Sequence, residues 1–220
     1  MTLTNLLTEQ ANASLAHKIV SSEQVRAMEP KAALIAACSM FELMQRAGKA
    51  AFQLLIKEWP ETQNILVVAG NGNNAGDGYV LATLAKQQGI NVEVVCDQPV
   101  RKLFGDAQQA QLEWQNLGGK TYKFGERDYT QFDVIVDALL GTGVTGEVKL
   151  TFKTVIQQIN QALTPVLSLD CPSGMHADTG RALPICINAD VTITFIAIKP
   201  GLVSGIGKEF CGKLIFADLG

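Results

Sequence analysis

A run of apolar residues passes directly into a glycine-rich segment at residues 65–78, which read Ile65-Leu66-Val67-Val68-Ala69-Gly70-Asn71-Gly72-Asn73-Asn74-Ala75-Gly76-Asp77-Gly78. The apolar part is typical of a strand that is buried on both faces of a sheet. The glycine-rich part predicts a tight turn, from which a helix continues to about Gln88. Because strand, turn and helix in this order form the first half of a β-α-β unit, the stretch indicates an α/β fold.

The alternation of helices and strands continues on both sides of this stretch. Upstream, one helix is predicted to begin with Ser22 as its N-cap, and a second to span Met40–Trp59 before Pro60. Downstream, short apolar runs predict strands at Val92–Cys96, Thr121–Lys123, Val134–Val136, Val166–Leu169, Val191–Ile198 and Leu214–Phe216. Further helices are predicted at Gly105–Leu117 and Phe152–Leu163. Such crossovers produce a mostly parallel sheet with helices on both faces.

We expect one domain preceded by a short extension. Residues 1–21 are polar and only weakly periodic, so they are interpreted as an N-terminal extension. Residues 22–220 contain no internal repeat, low-complexity tract or linker-like break. They are therefore assigned to a single α/β domain.

Composition excludes several classes of protein. Of 220 residues, 47% are hydrophobic and 18% charged, which indicates a folded core rather than a disordered chain. The net charge of −3 lacks the basic surplus of proteins that bind nucleic acids or anionic membranes. No run approaches the ~20 apolar residues of a membrane span, and the first ten residues lack the features of a signal peptide. We expect neither nucleic acid nor membrane as a partner.

The cysteines indicate the compartment. There are five of them, an odd number, widely spaced and without a Cys-x-x-Cys pair. This pattern favours reduced thiols in a cytoplasmic protein over disulfides or a structural zinc site. With two histidines in the chain, histidine-rich metal chemistry is excluded as well.

Polar residues collect at the ends of three predicted strands. Gly70–Gly78 follows the first strand, and Asp137–Glu147 and Asp170–Gly174 follow two later ones. In open α/β sheets, ligands bind beyond the carboxyl ends of the strands. The sequence therefore predicts a binding site built from these three segments.

The first of these segments allows two interpretations. Gly70, Gly72 and Ala75 match Gly-x-Gly-x-x-Ala, in which glycines let the backbone approach a phosphate at a helix N-terminus. A tight strand-to-helix turn without a ligand would use the same residues. No Gly-Lys-Ser/Thr follows, which excludes a Walker P-loop, and Asp77 would compete with a phosphate for the same amides. This segment alone does not decide between them.

Two aspartates, Asp137 and Asp170, end buried strands. A buried carboxylate is unfavourable unless something pairs with it, and nearby loop amides can do so without any ligand. Two such residues beside a Gly/Asn-rich loop favour a ligand or cation site. Asn74, Asp137 and Ser173 together offer an amide, a carboxylate and a hydroxyl with a single negative charge. Such a set suits a weakly charged, loosely coordinated cation better than Mg²⁺ or Zn²⁺.

At these segments the sequence resembles the YjeF N-terminal domain family, the NAD(P)H-hydrate epimerases. The matching elements occur in family order and are Glu42–Gly48, Gly72–Gly78, Asp137–Gly143, Asp170–Gly180 and Ala189–Gly201. The resemblance implies a Rossmann-like three-layer α/β/α sandwich that is usually a homodimer. It implies interconversion of the R and S forms of hydrated NADH and NADPH, here called NAD(P)HX. In many bacterial relatives a dehydratase domain follows at the point that corresponds to Gly220.

The resemblance also implies the site residues. The family's substrate loop falls on Asn73, Asn74, Ala75, Gly76 and Asp77. Its second substrate segment falls on Gly141, Thr142, Gly143, Val144, Thr145, Gly146 and Glu147, with a further contact at Asp170. Its K⁺ ligands fall on Asn74, Asp137 and Ser173, the trio already suggested by charge. Ala75 stands where this loop often has glycine, which can alter how closely a phosphate approaches.

Asp170 is the predicted acid/base residue. The stereocentre of the hydrate is C6 of the nicotinamide ring, which carries a hydroxyl and is bonded to the ring nitrogen. Either the hydroxyl leaves as water and returns on the other face, or the C6–N bond opens to an aldehyde and recloses. Both routes need a group that exchanges a proton at the hydroxyl. The alternative role for Asp170 is a hydrogen bond to a ribose, and Lys199 is either a phosphate contact or an ordinary sheet-end lysine.

An NAD-dependent oxidoreductase is the first competing function. It would use Gly70, Gly72 and Ala75, with Asp97 contacting the ribose after the second strand. Asp77 and the lack of a separate catalytic domain count against this hypothesis.

A non-catalytic interaction module is the second competing function, because one fold can serve many roles. Such a module would have no need of the combination of Asn74, Asp137, Asp170 and Ser173. The epimerase hypothesis is therefore preferred.

Overall fold

The computed structural model describes residues 19–99, 102–144, 146 and 148–220. Most of the predicted extension 1–21 therefore lies outside the described residues. Its last residues contact the domain, because Ile19 forms a parallel bridge with Ile198 and the N–H of Val20 donates to the Ile198 carbonyl at 3.0 Å. The boundary at residue 21 stays a prediction.

The described part of the chain contains seven α-helices. They are α1 (Ser22–Ile35), α2 (Met40–Glu58), α3 (Asn73–Gln87), α4 (Gly105–Asn116), α5 (Leu150–Ala162), α6 (Pro200–Val203) and α7 (Gly207–Cys211). A 3₁₀ helix covers Tyr129–Gln131. Helices α1 and α2 each begin with a capping box, Ser21 with Gln24 and Ser39 with Glu42, which satisfies their first amides. None of the helices formed by described residues has the length and apolar character needed to span a bilayer.

The described strands form one seven-stranded sheet. They are β1 (Asn64–Ala69), β2 (Asn91–Cys96), β3 (Lys120–Lys123), β4 (Val134–Ala138), β5 (Val166–Leu169), β6 (Val191–Phe195) and β7 (Lys213–Ala217). Their order in the sheet is β3-β2-β1-β4-β5-β6-β7, and each pair of neighbours is parallel. The mostly parallel sheet predicted from the sequence is confirmed.

Three layers follow from the alternation of side chains along the central strands. Ile65 and Val67 of β1 face a core formed with α2, α3 and α4. Leu66 and Val68 face the opposite side, where α5 contributes Ile156 and its neighbours. Helices therefore cover both faces, and the α/β/α sandwich is confirmed.

The sheet order creates a topological switch point between β1 and β4. The chain leaves β1 for β2 and β3 on one side, and then returns to β4 on the other side of β1. The loops after β1 and β4 consequently diverge in opposite directions and leave a crevice between them, the usual ligand position in this architecture.

Several predicted boundaries were wrong in detail. Helix α3 already begins at Asn73, so much of the glycine-rich segment is helix rather than turn. The cap of α1 is Ser21 rather than Ser22, because the capping box of Ser21 reaches Gln24. Strand β4 extends to Ala138 and therefore includes Asp137, while β6 ends at Phe195 because Ile196 turns into the left-handed region at φ 66°.

Candidate active site

A cavity of about 490 Å³ lies at the switch point. Its walls come from the first turn of α3, the loop after β4, one face of α1 and the start of α2. Asp170, directly after β5, lines the same cavity. Its size falls within the usual range for small-molecule sites in proteins.

Two glycines allow the walls to approach one another. A Cβ on Gly70 would lie 1.8 Å from the Leu139 carbonyl oxygen, so only glycine fits where β1 ends against the loop after β4. A Cβ on Gly141 would lie 3.3 Å from the Asn74 Cβ. Because glycine also occupies the N-cap position of α3 at Gly72, no side chain caps the first amides of that helix. Uncapped amides at a helix N-terminus favour an anionic ligand.

Asp137 lies beneath the cavity and is fully buried. Its Oδ2 accepts hydrogen bonds from the Ser173 N–H and the Ser168 hydroxyl, both at 2.8 Å. Its Oδ1 accepts from the Ser173 hydroxyl at 2.5 Å and from the Leu139 N–H at 3.2 Å. Burial raises the pKa of Asp137, although these hydrogen bonds act in the opposite direction.

Asn74 and Ser173 meet at the backbone of Leu140. The Asn74 Nδ2 donates to the Leu140 carbonyl at 3.0 Å, and the Ser173 hydroxyl accepts from the Leu140 N–H at 2.8 Å. The Asn74 Oδ1 is buried and has no hydrogen-bond partner among the described residues. A buried unpaired oxygen is unfavourable, so this atom lacks a partner that a bound cation would supply. An amide oxygen, a hydroxyl, a carbonyl and one carboxylate fit a singly charged cation that accepts oxygen ligands.

Asp170 and Lys199 form an ion pair at the wall of the cavity. The Lys199 Nζ donates to Asp170 Oδ1, to the Thr194 hydroxyl at 2.9 Å and to the Phe195 carbonyl at 3.3 Å. The Lys199 side chain is 1% exposed and that of Asp170 is 17% exposed. A buried ammonium with three acceptors is fully satisfied, so the lysine is fixed while the carboxylate faces the cavity.

Two further carboxyl groups line the cavity close to Asp170. Burial and the charges of Asp170 and Glu29 raise the pKa of Asp77 well above its ordinary value. Burial and the charge of Asp170 also raise the pKa of Glu29, which Lys199 and Arg26 partly offset. The cavity therefore has an acidic end in which some carboxyl groups are protonated more readily than in water.

The predicted substrate residues divide into three groups. Those that line the cavity are Asn73, Asn74, Asp77, Gly141, Thr142, Gly143, Val144 and Asp170. Ala75 and Gly76 do not line it, because Ala75 is 1% exposed and Gly76 packs against the Met44 side chain. Any contact from these two would have to come from their backbone amides. Gly146 is exposed outside the cavity, and Thr145 and Glu147 lie outside the described residues.

Sequence reasoning missed the part of the site that α1 supplies. Val25, Arg26 and Glu29 of this helix line the cavity, although they precede the glycine-rich segments. Arg26 and Glu29 are three residues apart and share a helix face next to the buried Val25, but this spacing does not show what that face contacts. The burial of Lys199 was not predicted either. Lysine is rarely buried without a charged partner, and its partner Asp170 lies far from it in the sequence.

The fold and the cavity define a class of protein, the doubly wound α/β proteins that bind a ligand at the topological switch point. Residues 40–201 match the family model described as YjeF-related protein N-terminus. The chain belongs to this family, as its motifs predicted.

Curated relatives carry related names. The chain is 40% identical over 207 residues to the Escherichia coli protein called bifunctional NAD(P)H-hydrate repair enzyme Nnr, with 94% of this chain and 40% of that protein covered. The Coxiella burnetii protein of the same name is 42% identical, with 92% and 41% covered. A Legionella pneumophila protein called NAD(P)H-hydrate epimerase is 34% identical, with 82% and 70% covered. The chain thus spans about two fifths of the length of the bifunctional relatives.

A crystal structure of the yeast protein ynu0 has the same fold. It matches with a TM-score of 0.74 at 24% sequence identity, covering 84% of this chain and 82% of that one. The oxidoreductase hypothesis gains no support from the site, because Asp97 and Ala75 are not among the described residues that line the cavity.

Proposed function

We propose that this chain is an NAD(P)H-hydrate epimerase that interconverts the two C6 epimers of NAD(P)HX. The observation that carries the proposal is the Asp170 carboxylate, held by a buried lysine and facing a cavity at the switch point of the sheet. The names of relatives that match over most of this chain support the same activity.

Asp170 is assigned the proton transfer at the C6 hydroxyl. The ring nitrogen lone pair can expel the hydroxyl if a proton is delivered to it, and the reverse step needs the same proton removed from water. In the ring-opening route the hydroxyl loses its proton as the C6–N bond breaks, the departing ring nitrogen takes up a proton, and both transfers reverse on closure. A carboxylate that is positioned by Lys199 and open to the cavity serves either route.

The dinucleotide part is assigned to the glycine-rich walls. The uncapped first turn of α3 and the loop Gly141–Val144 both line the cavity, and Gly141 lies close to Asn74. Free amides at a helix N-terminus bind phosphate oxygens without a dedicated side chain. The predicted contacts at Asn73 and Asn74 lie on this turn, and Asp77 follows it.

We propose K⁺ as the resident cation, held by Asn74, Ser173 and Asp137. The unpaired Asn74 Oδ1 supports this assignment most directly. Since Asp137 already accepts four hydrogen bonds, it would have to exchange one of them to contact the ion directly. Potassium would supply a fixed positive charge beside the loop that follows β4.

Three properties of the whole protein belong to the same proposal. The family resemblance supports a homodimer, which sedimentation of the purified chain would test. The five unpaired cysteines support a cytoplasmic location. The bifunctional relatives support a dehydratase domain acting on the same metabolite in a longer protein.

The activity is tested by mixing the purified chain with each separated epimer of NADHX and NADPHX. Chromatography should show each epimer converting into the same equilibrium mixture, faster than in buffer alone. Binding of the hydrates without interconversion would contradict the proposal and favour a non-catalytic module. The Asp170→Asn variant is the matched control, because it keeps the shape of the site and removes the proposed proton-transfer group.

A further inference from the structure

We propose that Arg26 of α1 binds the phosphate group on the nicotinamide half of the dinucleotide. This assignment rests on the proposed function and adds a residue outside the glycine-rich motifs. Three features of the structure carry it, namely the position of the guanidinium, its charge environment and its distance along α1 from the acidic end of the cavity.

The guanidinium lies at the edge of the loop after β4. Arg26 lines the cavity, and its Nη1 is 3.8 Å from the point that a Cβ on Gly143 would occupy. It therefore stands beside the glycine-rich loop whose backbone faces the first turn of α3. A ligand anion bound between the loop and α3 would lie within reach of the arginine.

No described carboxylate forms an ion pair with Arg26. Its charge partly offsets the raised pKa of Glu29, one turn further along α1, and among the described residues the two side chains form no hydrogen bond that would occupy the guanidinium. An arginine with its donors available presents a planar fork that matches two phosphate oxygens. The only other cation among the described lining residues is Lys149.

The spacing along α1 favours the phosphate next to the nicotinamide ribose over the adenosine 2′-phosphate. Arg26 and Glu29 are three residues apart, which corresponds to a rise of about 4.5 Å on one helix face. Glu29 belongs to the acidic end, where the charge of Asp170 influences it and where C6 must lie for proton transfer. In the substrate a single ribose separates the nicotinamide ring from its own phosphate, a distance comparable to one helical turn. The adenosine 2′-phosphate lies beyond the pyrophosphate and a second ribose, too far from this end.

The test measures binding rather than catalysis. Titration calorimetry of the full chain with NMN, NAD⁺ and NADP⁺ should show that Arg26→Gln weakens all three by a similar factor, about 10- to 100-fold. Nicotinamide riboside, which lacks the phosphate, should bind the variant and the wild type equally. Arg26→Lys should recover part of the loss, because it retains the charge without the fork.

Lys31→Gln is the matched control, since it removes one positive charge from the same helix at an exposed position outside the cavity. It should leave all four affinities unchanged. Weaker binding of NADP⁺ alone would overturn the inference in favour of a 2′-phosphate contact, and equal weakening of the riboside would indicate a structural role. Unchanged affinities in Arg26→Gln, with epimerisation intact in the wild type, would overturn this inference and leave the proposed function standing. Failure of the wild type to bind any of these ligands would overturn this inference, and the epimerisation assay with NAD(P)HX would decide the proposed function separately.

Discussion

Asp137 and Asp170 occupy nearly equivalent positions at the ends of adjacent strands, yet their surroundings are opposite. Asp137 is fully buried in β4 and accepts four hydrogen bonds from backbone and hydroxyl donors. Asp170 follows β5, has one charged partner in Lys199 and opens onto the cavity. The same residue type is therefore enclosed by hydrogen-bond donors at one strand end and exposed to the cavity at the next. The decisive factors are exposure to the cavity and the number of donors already engaged.

The largest effect is expected for Asp170→Asn. Asparagine keeps the size and one acceptor oxygen but cannot take up the proton, so turnover should fall about 10²- to 10⁴-fold. Binding of NADP⁺ should weaken much less, because the phosphate-binding walls are untouched. Steady-state rates with separated epimers, together with one binding titration, measure both quantities.

A reversed pattern, in which affinity falls while turnover at saturation survives, would show that Asp170 only holds a ribose. Asp170 would then differ from Asp137 in its exposure to the cavity but would take no part in proton transfer. A thermal melt of the same variant separates both results from a loss of folding.

Asp137→Ala should have the second largest effect, on stability. The change leaves the buried donors of Ser168, Ser173 and Leu139 without an acceptor, at a cost of about 1–3 kcal/mol for each group that stays unsatisfied. Ser173→Ala removes one hydroxyl and should cost about 1–2 kcal/mol. Urea unfolding of the two variants gives both values. Activity should also fall more in Asp137→Ala than in Ser173→Ala. Only Asp137→Ala removes the negative charge that would compensate a bound cation.

Equal and small losses in both variants would contradict the structural role of Asp137. In that case the hydrogen bonds of Asp137 would contribute little to the stability of the fold.

Potassium should stabilise the fold by a smaller amount. Replacing choline chloride with potassium chloride at equal ionic strength should raise Tm, by about 2–4 °C for each kcal/mol of binding linkage. Asn74→Ala should abolish most of this increase, because it removes the buried oxygen that lacks a partner. A variant that responds to potassium as strongly as the wild type would remove Asn74 from the cation site.

The smallest predicted effect concerns Asp77. This residue lines the cavity, as Asp170 does, and its pKa is raised by burial, as that of Asp137 is. Its pKa in the folded protein is raised above the ordinary value of 3.8, with burial as the main cause. The stability that this group contributes is therefore fully present below 3.8 and is lost as the pH rises through the raised pKa. Asp77→Asn removes this dependence, so the wild type should lose stability relative to the variant as the pH rises. Thermal melts of the wild type and of Asp77→Asn from pH 4 to pH 8 measure this. A difference in Tm between the two proteins that stays constant with pH would refute the prediction.

Much of the fold could be predicted because it depends on local patterns. The apolar run before Gly70 and the short runs that follow have the length and period of buried strands, and the sheet contains them as predicted. That Asp137 and Asp170 would have hydrogen-bond or charged partners could be predicted as well. A carboxylate that follows a buried apolar run is unfavourable without such a partner. The parallel pairing of β4 with β5 sets Asp137 opposite Ser168, so Asp170 lies two residues further toward the carboxyl edge of the sheet.

The remaining parts of the site depend on tertiary placement. Helix α1 is largely polar, and nothing in its own pattern shows that Arg26 and Glu29 face a cavity formed by strands much later in the chain. Ile196, Ala197 and Ile198 are as apolar as a strand, yet the chain leaves the sheet before them, which brings Lys199 back beneath Asp170. Neither arrangement can be derived from spacing along the sequence.

Asp170 has a left-handed backbone conformation, with φ 65°, which is strained for a residue other than glycine. A non-glycine residue in this region costs on the order of 1–2 kcal/mol, whereas glycine adopts it freely. Asp170→Gly would release this strain but leave the buried Lys199 ammonium without its charged partner, which costs about 3–5 kcal/mol. Laboratory evolution for heat resistance alone should therefore keep aspartate at residue 170, and enrichment of glycine under such selection would mean that the backbone strain outweighs the Lys199 ion pair.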